Sequence, residues 1–152
     1  ESKTNDVTLR VGPGEVGVAI EIGRPTLGMS ILDIQKITRA IARAGVHKIE
    51  PHNPIHSMIA DEATGDLKPE MLGERVLSAI IEIKVKRNEL RGILRTLKEV
   101  ANEVESVFCI DACTIVEPGL KIPEEVLESI RAEGLTWRPN AKVNMGLGRA
   151  WE

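Results

Sequence analysis

The sequence predicts an α+β fold: a ferredoxin-like sandwich with a βαββαβ core, an extra N-terminal strand and a C-terminal helix and strand. Three observations carry this. Val16, Val18, Ile20 and Ile22 alternate with Glu15, Gly17, Ala19 and Glu21, the period of a strand with one buried face. Two later stretches, opening at Ser30 and Asn88, instead repeat their apolar residues at helical spacing. From 15 to 116 the elements then read strand, helix, strand, strand, helix, strand, the order of a split strand-helix-strand motif.

Taken in order, residues 1–6 are expected to form a flexible terminus and 7–152 a single domain. Val7-Thr-Leu-Arg-Val11 alternates and Gly12-Pro-Gly14 supplies a turn, so 7–11 is expected to pair with 15–22 as a hairpin. Residues 23–28 form a loop. Ser30 with Asp33 three positions on gives a capping-box-like start to a helix with Ile34, Ile37, Ile41 and Ala44 on its stripe, stopped by Gly45. Pro51 and Pro54 break the next stretch, after which 55–60 extends as a strand. Residues 61–73 are a connection with one helical turn near Pro69.

The segment 76–86 reads as a long strand with Leu77, Ala79, Ile81, Ile83 and Val85 on one side and Ser78, Glu82 and Lys84 on the other; only Ile80 breaks the alternation. Asn88 opens a helix whose stripe is Leu90, Leu94, Leu97, Ala101 and Val104, and this feeds a strand over 106–116. There Phe108, Ile110, Ala112 and Val116 point one way, and Cys109, Asp111 and Cys113 the other. Pro123, Glu124 and Glu125 suit the first turn of a third helix carrying Val126, Leu127 and Ile130 and ended by Gly134. A last strand is expected over 141–147.

The 152 residues, 42% hydrophobic and 28% charged, suffice for a sizeable core without disulfides or a structural metal. No apolar run approaches the roughly 20 residues that span a bilayer, so a membrane partner is not expected. Residues 1–6 lack the apolar core of a secretory signal, which points to the cytoplasm. A net charge of −3 with interleaved signs marks no phosphate-tracking surface, and with no Tyr and one Phe there is little to stack on bases. Nucleic acid is not an expected partner either.

The candidate chemistry begins with the thiol-carboxylate-thiol face. Cys109 and Cys113 are four apart, about 13 Å along a strand, which is beyond the roughly 4.4–6.8 Å between Cα atoms of a disulfide. They are left as thiolate ligands of a metal or cofactor, as a reactive thiol, as partners across a dimer axis, or as small buried residues. Asp111 between them is harder to explain as packing. His47, His52 and His56 are the three histidines, and all fall within ten residues. Imidazole is the commonest metal ligand, but Pro54 denies His52 and His56 a shared helix face. They would reach Cys109, Asp111 and Cys113 from a loop, or simply brace that loop. Glu21, Glu82, Arg138, Lys142 and Asn144 are candidate ligand-binding residues around the open sheet face, the two cations suited to an anion; solvated edge residues are the plainer alternative. Gly12, Gly14 and Gly17, like Gly146 and Gly148, do not stand between a strand and a following helix and read as turn glycines.

Asn53-Pro-Ile-His-Ser-Met-Ile-Ala-Asp-Glu62 and Arg138-Pro-Asn-Ala-Lys-Val-Asn-Met-Gly-Leu-Gly-Arg149 resemble segments of small proteins of methanogenic archaea. The resemblance implies an anaerobic, methanogenic cytoplasm in which thiolates and metal cofactors are common, and assigns no residue a role. The leading expectation is an accessory or regulatory binding module. It would oligomerise, alone or in a larger complex, and hold a small ligand, a transition metal or a metallocofactor on its open sheet face. One alternative is a small enzyme with His56 or His52 as base, Asp61 or Glu50 orienting it, and Arg138 or Lys142 gripping an anionic substrate. The other is a pure assembly factor.

Overall fold

The computed structural model describes residues 10–23 and 27–137. The expected strand over 141–147, residues 1–6 and most of 7–11 lie outside them. In chain order the elements are β1 (Glu15–Ile22), β2 (Met29–Ser30), α1 (Ile31–Arg43), β3 (Ile59–Asp61), β4 (Asp66–Leu67), β5 (Arg75–Val76), β6 (Ala79–Lys86), α2 (Leu90–Val100), β7 (Phe108–Thr114) and α3 (Glu124–Ala132). The class is α+β. The main sheet is antiparallel and three-stranded, in the order β6-β1-β7. No helix among the described residues is long and apolar enough to cross a membrane.

β1 is central because its Val and Ile residues alternate without a break: Val16, Val18, Ile20 and Ile22 are all buried, together with Ile81, Ile83 and Val85 of β6. The helices cover that face, α1 packing on α2 and α2 on α3. Ser30 starts α1 by accepting the Asp33 N–H at 3.1 Å, and Ile31, Ile34, Ile37, Ala40 and Ile41 fill its buried stripe. Ala44 is not on that stripe but exposed at the C-cap. In α2 the buried set is Leu90, Ile93, Leu94, Leu97 and Val100; the helix stops before Ala101, which is exposed. Glu133, just past α3, fastens it to α2: its carboxylate accepts from Arg91 at 2.8 Å and Arg95 at 2.9 Å, and its carbonyl from Lys98 at 2.6 Å.

Three expectations need correcting. The first is the N-terminal hairpin. β6 takes one edge of β1 and β7 the other, so no edge is left for the residues that precede it. Arg10 and Val11 instead leave the plane of the sheet.

The second is the strand over 55–60. Residues Pro54–Met58 form a 3₁₀ helix, capped by the Asn53 side chain, which accepts the Ile55 N–H at 2.9 Å. Prolines at 51 and 54 lack an N–H and fix φ, which favours this over a ladder. β3 begins only at Ile59 and pairs with β4 in a separate two-stranded sheet. That hairpin docks on α1, where the buried Gln35 side chain accepts the Leu67 N–H at 2.9 Å and the Thr38 hydroxyl donates to the Gly65 carbonyl at 2.6 Å. Beside β6 stands the Ile49 to Ile83 bridge, with the Glu50 N–H donating to the Glu82 carbonyl at 2.9 Å.

The third is the strand over 76–86, which breaks at Leu77 and Ser78. β5 turns away to pair with β2, and Leu77 is left 83% exposed rather than inward.

Candidate binding face

Because alternate residues of β1 are committed to the core, Glu15, Gly17, Ala19 and Glu21 stand on the opposite face. The register groups their neighbours into rows: Ile80, Glu21 and Cys109; Glu82, Ala19 and Asp111; Lys84, Gly17 and Cys113. Directly opposed residues of an antiparallel pair share a face, with Cβ atoms about 5 Å apart. Glu21, Glu82, Cys109, Asp111 and Cys113 therefore lie on one face, as their alternation predicts. The Cys109 thiol neighbours the Glu21 carboxylate, whereas Asp111 and Glu82 are two strands apart, about 10 Å. Cys109 is exposed and Cys113 half-buried.

One end of this face is covered by the chain itself. The Gly12-Pro13-Gly14 turn, closed by the Glu15 N–H donating to the Gly12 carbonyl at 3.1 Å, carries residues 10–12 back over the sheet. Val11 is 6% exposed. Its Cγ2 stands 2.8 Å from where a Cβ on Gly17 would be, and the Cys113 Cβ is 3.9 Å from the same point. Arg10 donates to both oxygens of Glu82, at 2.9 and 3.5 Å. Lys84 donates to the Arg10 carbonyl at 3.0 Å and lies 3.3 Å from Glu15, whose carboxylate accepts the Gly12 N–H at 2.8 Å. That Gly12 N–H holds the Glu15 carboxyl below its usual range, against its slight desolvation and with help from Lys84.

The histidines lie elsewhere. His56, on the 3₁₀ helix, has its Nε2 3.3 Å from Glu62, so Glu62 stands beside it where Asp61 or Glu50 was expected, and His52 is exposed. Their loop follows Ile49 and Glu50, which flank β6, while the thiols sit on β7 at the far side of the sheet; three strand spacings amount to about 14 Å. Among the described residues no three of His, Cys, Asp and Glu are grouped so as to hold a metal ion. Arg138, Lys142 and Asn144 lie outside the described residues. The chain matches no family model, no curated protein and no solved structure.

Several large apolar side chains stand exposed where the sequence pattern does not place them. Leu27, Leu32, Leu77 and Val107 are 63%, 51%, 83% and 42% exposed. The backbone brings Leu27, Leu77 and Val107 to the end of the sheet where Gly23 and Gly28 meet: the Gly23 N–H donates to the Val107 carbonyl at 3.2 Å and the Gly28 N–H to the Gly23 carbonyl at 3.1 Å. A Cβ on Gly28 would stand 3.6 Å from the Leu77 Cα, and Leu32 is in the first turn of α1, which follows β2 directly. The signal available in the sequence was Leu32, which is out of phase with the stripe of α1.

Proposed function

We propose that this chain is an accessory binding module of ferredoxin-like topology that assembles, with its own copies or in a larger complex, through the apolar end of its sheet. The observation that carries this is the group Leu27, Leu77 and Val107, with Leu32 exposed on the first turn of α1, close by in sequence. Large apolar side chains exposed together at one site mark interaction surfaces, whereas scattered ones do not. The topology is supported by the order β7-β1-β6, with Ile49 bridging the outer edge of β6 where the second core strand belongs. Light scattering on the full chain and on Leu77→Asp and Leu32→Asp tests the reading. A particle larger than one chain that falls to one chain in both variants, with unchanged melting temperature, supports it. A single-chain mass for the wild type at all concentrations, or an assembly indifferent to both substitutions, counts against it.

A second reading is favoured by the Glu21–Cys109 pair. A thiolate and a carboxylate on neighbouring strands suit a borderline divalent metal, with the rest of its shell supplied by a small ligand or by a second chain. Metal content per chain, measured without oxygen on the wild type and on Cys109→Ser, decides it: bound metal lost in the variant supports this reading, and equal content in both opposes it.

A further inference from the structure

We propose that the open sheet face carries a binding site for an extended peptide segment of a partner protein, held closed in this structure by the chain's own residues 10–12. The site has three parts. Gly17, with no side chain, leaves an apolar socket walled by Cys113, and Val11 fills it. Glu82 beside it takes a guanidinium on both oxygens. Lys84 takes a main-chain carbonyl between the two. A socket, a carboxylate and a carbonyl donor in this order read a cationic residue followed by a β-branched apolar one in extended conformation. The partner is identified by that chemistry, and the Arg10-Val11 sequence is the cis copy of it.

Residues 10–12 form the arm. It joins β1 through Gly12-Pro13-Gly14, and Gly14 holds a φ of +78°. Its clasp is the Arg10–Glu82 ion pair, whose side chains are each 20% exposed. While the arm is seated it competes with any incoming segment, so apparent affinity scales with the fraction of chains in which it is released. This site lies on the open face and does not depend on what docks at the apolar end.

The test uses the full chain with Arg10→Glu and Val11→Asp, and a labelled peptide Val-Thr-Leu-Arg-Val-Gly copied from residues 7–12. Arg10→Ala, which leaves the socket and Val11 intact, is measured in parallel in case the double variant does not fold. The peptide is expected to bind the released chain about tenfold or more tightly than the wild type. Adding Glu82→Gln, or replacing the peptide's Arg by Glu, should abolish that gain. Cys113 should react faster with a thiol reagent in the released chain while Cys109 keeps its rate. A folded released chain that binds the peptide no better than wild type, or an unchanged Cys113 rate, overturns the proposal. A wild-type oligomer that dissociates on Arg10→Ala also overturns it, by assigning the site to the arm of a second copy.

Discussion

Val11 occupies the space above β1 that a side chain on Gly17 would need, its Cγ2 2.8 Å from the position of the missing Cβ. The glycine is therefore a packing requirement in the middle of a strand, where glycine otherwise weakens the structure. Gly17→Val should cost about 1–3 kcal/mol by overpacking, and Val11→Ala about 1–2 kcal/mol by lost burial. Urea unfolding of the two single variants and the double should give a double cost well below the sum, because the second change relieves the clash of the first. Additive costs would mean that the two residues do not share that space.

The clasp on Glu133 makes a pH prediction. Hydrogen bonds from Arg95 and Arg91 lower its carboxyl to about 2, from 4.5. A carboxylate with a depressed folded pKa contributes stability that is present above its unfolded value and lost as pH falls through the folded one. Stability should hold above about pH 4.5 and decline toward pH 2, and Glu133→Gln should lose stability at neutral pH while flattening that acid limb. Melting temperatures across this range read both effects; an equally steep limb in the variant would remove Glu133 as its source.

Gln35 holds the β3–β4 hairpin by accepting the buried Leu67 N–H. Gln35→Leu keeps the bulk but strands that donor, at a cost of about 1–3 kcal/mol. Hydrogen exchange in the variant should quicken at Leu67 and Gly65 before the main sheet is affected. Unchanged protection there would show that the hairpin is held by its apolar contacts alone.

Leu120 has a φ of 60° in the turn closed by the Glu117–Lys121 bridge, a left-handed conformation that a leucine resists. It is 55% exposed, so little packing is lost on its removal. Leu120→Gly should stabilise the chain by about 1 kcal/mol, seen as a raised urea midpoint at constant slope.

Alternation and helical spacing are local properties, and most of what depended on them alone was legible: the buried face of β1, the stripes of α1 and α2 short of their expected last members Ala44 and Ala101, and the shared face of Glu21, Glu82, Cys109, Asp111 and Cys113. What was not legible depended on which edges were already taken. Val7, Leu9 and Val11 alternate like a hairpin strand, but the pattern says nothing of β7 occupying the second edge of β1. Leu77 continues the alternation of β6 and still faces solvent, because β5 is drawn to β2. The stretch at 55–60 has strand-like residues, but two prolines and the Asn53 cap turn it into a 3₁₀ helix first. The histidines and cysteines looked like one ligand set in composition, and the sheet places them on opposite sides.

Amide hydrogen exchange of the wild type at low and high protein concentration tests the assembly claim most directly. Protection should rise with concentration at Leu27, Gly28, Leu77 and Val107, and at no comparable level along β7 or the β3–β4 hairpin. Protection that is independent of concentration, or that rises along β7 and leaves the apolar end unchanged, would contradict it.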